Sequence, residues 1–187
     1  MKYSDITSSA QRRAQKVTNA RGLYFLNELV KVDIYAPTVV TFKDYFEGDE
    51  TVTMIDGTTT YALSTDVFAI REIQDQDGNL ILRGTNTPRD VEPKNRVKVY
   101  GGNLIVDADR NFTILYVFYY KPIPDFDESS DIDLPDDITA ALKNVWVTGL
   151  ERFYFNENKK AQSATVSDAN YTDAKDRIFT YRIGSLV

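Results

Sequence analysis

Carboxylates are the main reactive side chains in this sequence. The chain has 28 Asp and Glu residues, no His and no Cys. Without His it lacks the usual general base near neutral pH and the commonest metal ligand, so Ser–His and Cys–His nucleophile pairs are excluded. Without Cys it has no disulfides, thiolate nucleophiles or Cys-based zinc sites. Grouped carboxylates are therefore the candidates for metal or acid–base chemistry in this sequence.

One acidic group, Asp75, Asp77 and Asn79, resembles the start of a calcium-binding loop. Such a loop needs Gly at its sixth position and a bidentate Glu at its twelfth, where this chain has Asn86. Asp77 followed by Gly78 is instead a strong hairpin signal. The group therefore predicts a plain hairpin turn without a metal.

A second acidic group contains seven carboxylates with no intervening basic residue: Asp125, Asp127, Glu128, Asp131, Asp133, Asp136 and Asp137. This composition favours a solvated, mobile linker between a sheet and a helix. The alternative is that the first five members face a channel lumen or a partner. A metal-dependent nuclease is disfavoured, because carboxylates on a flexible linker are not preorganised to hold two metals. We expect no metal and no cofactor.

The N-terminal region predicts helix. Apolar or small residues recur at steps of three and four from Met1 to Lys31, and Gly22 is expected to divide this stretch into two shorter helices. Its basic cluster favours a solvated helix face or a contact with an acidic neighbouring chain, because it lacks the interleaved aromatics of a nucleic-acid surface. The cluster consists of Arg12, Arg13, Lys16 and Arg21.

The middle of the chain predicts strands at Thr58–Leu63, Val67–Ile73, Leu80–Arg83, Arg96–Tyr100, Asn103–Val106 and Phe112–Tyr120. Gly101 and Gly102 form a two-residue hairpin loop. The last strand is apolar on both faces, whereas a half-exposed strand alternates with polar residues. It is therefore expected to be central in a two-layer core or to meet another subunit.

The C-terminal region predicts two helices and a tail. Leu134–Ile138 begins the first helix, with Pro near its first turn and acids at the positive end of the helix dipole. Its wide apolar face includes Trp146, which we interpret as a core residue. Asn156–Asn158 forms a turn before the second helix, whose small residues allow close packing. The tail is either frayed or docks on a partner through Ile183, Leu186 and Val187.

These elements predict a single α+β domain in which N- and C-terminal helices form one bundle with an inserted antiparallel β-sheet or β-sandwich module. The expected parts are N-terminal helices and connection (1–50), β-rich insertion (51–121), acidic linker (122–137), C-terminal helices (138–183) and tail (184–187). The net charge of −6 argues against a general nucleic-acid binder. No apolar run approaches the roughly 18 residues of a membrane span.

Three groups of residues resemble tailed-phage head–tail adaptors, also called connectors, neck-ring proteins or tail tubular adaptors. They are Asp56–Leu63 with Asp66–Phe68 and Ile70–Ile73; Leu115-Tyr116 with Tyr119–Pro122; and Leu134–Ile138 with Ala141-Leu142, followed by the Ala-spaced helix around Tyr171. Together with the order helix, sheet, helix, they cover most of the chain. The likeness is especially to the podovirus and crAss-like phage types.

This resemblance implies a viral structural protein without catalytic activity. It implies a dodecameric homo-oligomeric ring beneath the portal protein, joining the capsid to the tail and presenting a platform for the next tail or ring component. DNA would pass through its channel without specific binding, which an acidic wall favours because it repels phosphates. The resemblance further implies assembly in the host cytoplasm, a place at the capsid–tail junction of the virion, and docking of the C-terminal tail on the portal.

Two other functions stay open at this point. A β-sandwich binding module for carbohydrates or surfaces is favoured by the 12 Tyr and 10 Phe residues, whose rings can stack on sugars. Against it, the strand aromatics alternate as core residues do. A carboxylate-based glycosidase needs two acids at a fixed separation on a rigid scaffold, and the sequence pattern marks no such pair.

Overall fold

The computed structural model describes residues 1–11, 19–84, 93–157 and 161–183. Helices lie toward both ends of the chain and antiparallel strands lie between them, which confirms the predicted α+β class with an inserted sheet module. The chain forms two compact units: a helical unit of Met1–Phe42 with Ile123–Val187, and a sheet unit of Lys43–Pro122. None of the helices in the described ranges has the length and apolar character to cross a membrane.

The helices are α1 (Tyr3–Gln11), α2 (Asn19–Leu29), a π-helix (Val30–Ile34), α3 (Tyr35–Thr41), α4 (Lys43–Phe46), α5 (Asp136–Glu157) and α6 (Ala161–Ile183). The expected break at Gly22 is wrong, because α2 runs through this residue. Helical structure also continues beyond Lys31, through a stretch in which no element was predicted.

Close packing explains why glycine occupies position 22. A Cβ atom there would overlap the Tyr3 hydroxyl of α1 and lie 2.9 Å from the Tyr154 Oη of α5. Burial is the main cause that raises the pKa of both hydroxyls, so both stay neutral. Gly22 therefore allows α2 to approach α1 and α5 at a point where a Cβ would collide with the hydroxyls of Tyr3 and Tyr154.

The core of the helical unit follows the predicted apolar face of α5. Trp146 is completely buried, as predicted, and so are Leu142, Val145 and Leu150. Of the apolar or small residues that recur at steps of three and four in the N-terminal region, Ile6, Ala10, Leu26 and Val30 are buried. Ala20 is exposed, so the predicted buried face does not include this position.

The strands are β1 (Glu47–Thr53), β2 (Thr60–Ala62), β3 (Ala69–Asp75), β4 (Leu80–Arg83), β5 (Val97–Tyr100), β6 (Asn103–Val106) and β7 (Ile114–Tyr120). They form a four-stranded sheet in the order β1-β7-β3-β4 and a three-stranded sheet in the order β2-β6-β5, with antiparallel pairing throughout. Six of the seven strands were predicted within two residues of their bounds. The central position of β7 is also confirmed.

The two sheets share one hydrophobic core. Their inner faces contribute Ile73, Leu82, Leu115, Val117 and Tyr119 from the first sheet and Val97, Leu104 and Val106 from the second. The successive residues between these positions face away from the core, because side chains alternate along a strand. Each sheet therefore has an outer face.

Strand β1 was missed because its residues are poor strand formers. It begins Glu47-Gly48-Asp49-Glu50, and these residue types are depleted in strands. It nevertheless pairs with β7 along its whole length, from Glu47 opposite Tyr120 to Thr53 opposite Ile114. Tertiary pairing with an apolar central strand overrides the local preference.

The turn between β3 and β4 is a plain hairpin, as predicted. Asp75 Oδ1 accepts hydrogen bonds from the backbone N–H groups of Asp77 and Asn79, at 2.9 and 2.8 Å. Its Oδ2 accepts a third from Asn79 Nδ2 at 2.9 Å. Gly78 has φ of 80°, which favours glycine. The carboxylate that resembled a calcium ligand is thus committed to holding the turn.

We predict that Gly22→Ala lowers the free energy of unfolding by roughly 1–2 kcal/mol. The overlap with Tyr3 and Tyr154 costs about 1–3 kcal/mol, and the better helix propensity of Ala returns part of this. Chemical denaturation of the purified protein measures the change.

The matched control places Gly22→Ala in a Tyr3→Phe, Tyr154→Phe background, where both obstructing hydroxyls are absent. There the substitution should be close to neutral. An equal cost in both backgrounds would show that the hydroxyls are not the obstacle.

Candidate functional site

The acidic residues predicted as a lumen or interface segment lie together on the surface of the helical unit. All five of them are exposed: Asp125, Asp127, Glu128, Asp131 and Asp133. Apolar residues alternate with them and point inward, and Ile123, Phe126, Ile132 and Leu134 are buried. We call residues 123–134 the acidic segment. It presents carboxylates on one side and packs through the other.

Two contacts fix the acidic segment to the helices beneath it. The Asn27 side chain of α2 donates a hydrogen bond from Nδ2 to the Phe126 carbonyl at 3.1 Å and accepts one from the Phe126 N–H at 2.7 Å. The Phe126 ring meets the Trp146 ring of α5 edge-on, with centroids 4.9 Å apart. These contacts hold the acidic segment against α2 and α5 through both its backbone and a side chain.

The N-terminus anchors the other end of the acidic segment. The Met1 amino group forms an ion pair with Asp131 at 3.0 Å, and the Ile132 N–H donates to the Met1 carbonyl at 3.0 Å. Lys2 and Asp131 also form an antiparallel β-bridge. The segment is thus held at both ends with its carboxylates toward solvent.

Only part of the negative charge on the acidic segment is neutralised. Asp125 pairs with Lys31 at 2.9 Å. Asp127 accepts hydrogen bonds from the Ser129 hydroxyl and from the backbone N–H groups of Ser129 and Ser130, which lower the pKa of its carboxyl. Within the described residues, no three acidic side chains are grouped to hold a metal ion. The segment is suited to contact a cationic surface.

A second feature is the outer face of the four-stranded sheet. Ile114, Tyr116, Phe118 and Tyr120 of β7 lie there, and Tyr116 is 37% exposed. The Arg71 guanidinium lies 5.3 Å from the Phe118 ring centroid and pairs with Glu47 at 2.9 Å. This aromatic row explains why β7 is apolar on both faces. Whether it meets another subunit stays a prediction.

A third feature, which the sequence reasoning missed, surrounds Tyr171 in the helical unit. Asp33 of the π-helix accepts hydrogen bonds from Tyr171 Oη at 2.5 Å and Lys175 Nζ at 2.6 Å. Arg152 of α5 lies 5.3 Å from the Tyr171 ring centroid and pairs with Asp168 at 2.5 Å. These residues line a pocket of about 320 Å³. The arrangement ties the π-helix, α5 and α6 together.

The hydrogen bonds in this cluster keep Asp33 ionised and Tyr171 protonated. Burial alone would raise the pKa of the Asp33 carboxyl, but the hydrogen bonds from Lys175 and Tyr171 outweigh it and hold that pKa below its usual value. Burial and the neighbouring Asp33 raise the pKa of Tyr171, so this hydroxyl remains a donor. No local signal could have revealed the cluster, because Asp33 and Lys175 are 142 residues apart.

Other predicted site residues lie wholly or partly outside the described residues. Leu186 and Val187 of the proposed docking tail are among them, and Ile183 is described only as the end of α6. In the basic N-terminal cluster, Arg12, Arg13 and Lys16 also lie outside. Its fourth member, Arg21, pairs with Glu157 at 2.7 Å.

Comparison with known proteins gives one family. A family model described as SU10 adaptor protein matches residues 1–184, which includes both helical ends and the inserted sheets. No curated protein matches the chain.

We predict that Asp33→Asn lowers the free energy of unfolding by roughly 1 kcal/mol near neutral pH, a value kept small because Asp33 is 36% exposed and water screens it. Its folded pKa lies below the unfolded value of about 3.9. The carboxylate therefore stabilises the fold above that pH, and the contribution is lost as the pH falls through the folded pKa.

Urea unfolding at about pH 7 and about pH 3 measures this effect. The difference between wild type and Asp33→Asn should shrink toward zero at the lower pH. Asp173→Asn is the matched control on α6, since its ion pair with Arg177 is solvent-exposed and should be worth less than about 0.5 kcal/mol. A pH-independent difference for Asp33→Asn would contradict the electrostatic account.

Proposed function

This chain belongs to the SU10 adaptor protein family, and we propose that it forms a ring beneath the portal that joins the capsid to the tail and extends the DNA channel. Membership of the family makes the chain a phage adaptor and a structural virion component rather than an enzyme. The observation that carries the proposal is the family match along residues 1–184. The ring, its dodecameric state and its place under the portal go beyond that match.

The charge of the chain supports a channel that does not hold DNA. With 28 acidic and 22 basic residues the net charge is −6. A wall of like charge repels the phosphate backbone, which lets the duplex slide during packaging and ejection. A protein that grips DNA gains its affinity from neutralising phosphates, and therefore carries the opposite balance.

The surfaces described above suit an adaptor that must meet several partners. We assign the aromatic row on β7 to the next tail or ring component, because half-exposed Tyr and Phe side chains supply contact area at low entropic cost. We assign the tail at Ile183–Val187 to the portal. An adaptor with separate surfaces for each neighbour can be added to the growing particle in order.

The decisive experiment mixes the purified chain with its portal protein and examines the mixture by native mass spectrometry. A complex of one portal ring and one adaptor ring is expected, with twelve copies of this chain if the dodecameric state is right. The portal must be present, because an adaptor can be monomeric before it meets its platform. A chain that stays monomeric beside an assembled portal refutes the proposal.

The tail is tested separately. Deleting Gly184–Val187 should abolish binding to the portal and leave the thermal unfolding midpoint within about 2 °C of wild type, since the last few residues of most domains contribute little to stability. The Leu186→Ser, Val187→Ser variant keeps the length of the tail and removes its apolar side chains, so it should also lose affinity. Full portal binding by the truncated chain would rule out docking through this tail.

A further inference from the structure

The outer face of the three-stranded sheet carries cations and apolar side chains without an acid. Strand β5 and the residue before it alternate, with Val97 buried and Arg96 and Lys98 exposed. The register places Lys98 opposite Ile105 and Tyr100 opposite Asn103, so these side chains share one face. Tyr100, at the tip of the hairpin, is 79% exposed. The outer positions of β2 on this face are Thr60 and Ala62.

The cationic side chains of this face have no charged partner within the part of the chain that the structure describes. Neither Arg96 nor Lys98 has an ion pair or a side-chain hydrogen bond to a described residue, whereas Arg71 and Arg152 each pair with a carboxylate. Among the described strands, β5 is also an edge strand, with β6 on one side only. An exposed edge with a basic and aromatic outer face is a surface that natural proteins usually cover or use.

The acidic segment has the complementary pattern. Exposed carboxylates alternate with buried apolar residues at Asp131, Ile132, Asp133 and Leu134, as exposed cations alternate with buried Val97 on β5. Both surfaces therefore place charged side chains at every second residue, carboxylates at Asp131 and Asp133 and cations at Arg96 and Lys98. Glu128 and Asp133 have no ion pair to a described residue. Both surfaces are held by the packing beneath them.

We propose that the outer face of β5 and β6, through Arg96, Lys98 and Tyr100, docks on the acidic segment of a second copy of this chain. The inference rests on the proposed ring and names the contact between its neighbouring subunits. Two different surfaces that bind each other produce a head-to-tail contact, which is the kind that closes into a ring. DNA is the less suitable occupant, because two cations neutralise few phosphates and the chain as a whole is acidic.

A charge exchange tests the contact in the full chain mixed with the portal. Arg96→Glu with Lys98→Glu should weaken assembly of the adaptor ring at least about tenfold, since two attractive pairs become repulsive. Glu128→Lys with Asp133→Lys should do the same from the other side. The chain carrying all four substitutions should assemble again, because both surfaces are reversed together.

Thermal unfolding of each variant separates lost assembly from misfolding. Lys143→Glu, at an exposed position of α5, shifts the net charge in the same direction as Arg96→Glu with Lys98→Glu, by −2 against −4, and should assemble normally. The proposal is overturned if Arg96→Glu with Lys98→Glu, and Glu128→Lys with Asp133→Lys, each assemble at the same protein concentration as the wild type. Failure of the fourfold variant while it remains folded also overturns it.

Cross-linking identifies the two surfaces directly, because the chain contains no Cys. In assembled complexes, a chain with both Lys98→Cys and Asp133→Cys should form a ladder of covalent multimers with a short bis-maleimide. Each single Cys variant should give no species larger than a dimer. A ring-sized complex without a ladder refutes the contact and leaves the proposed function intact, whereas the absence of any ring in the wild type refutes the proposed function itself.

Discussion

The close approach of α2 to its neighbouring helices is the constraint on which the helical unit depends. Gly22 lies against the hydroxyls of Tyr3 and Tyr154, and a Cβ at Gly149 would overlap the Leu29 side chain. Phe126 is held by both helices: Asn27 of α2 hydrogen-bonds to its backbone, and Trp146 of α5 packs against its ring. The exposed carboxylates of the acidic segment are therefore positioned only when these helices are packed.

Charged groups in the helical unit are used in two distinct ways. Asp33 receives two donors and joins the π-helix to α6, so its charge is satisfied inside the fold. Glu128 and Asp133 of the acidic segment are instead exposed and have no ion pair to a described residue. A charge that is paired and partly buried stabilises one conformation, whereas an exposed charge contributes little to folding and remains available to a partner.

Local signals in the sequence predicted most elements, and long-range contacts account for what they missed. The bounds of β4 and β6 follow from Asp77-Gly78 and Gly101-Gly102, because these turn residues fix where strands end. The apolar face of α5 was likewise predicted from the helical spacing of its apolar residues. Gly22 was misread since a helical glycine indicates either a break or a close contact, and only its neighbours decide between them. Strand β1 and the Asp33–Lys175 pair depend on partners far away in the chain.

The anchoring of the acidic segment changes what weak charge contacts can achieve in an assembly. An exposed ion pair is worth about 0–1 kcal/mol, whereas ordering one residue of a mobile chain costs roughly 1–2 kcal/mol. A free linker of the length of residues 123–134 would therefore lose far more on docking than a few ion pairs return. Because Asn27, Trp146 and Met1 already hold this segment, that ordering cost is met during folding. Its carboxylates can then contribute to binding at nearly their full value.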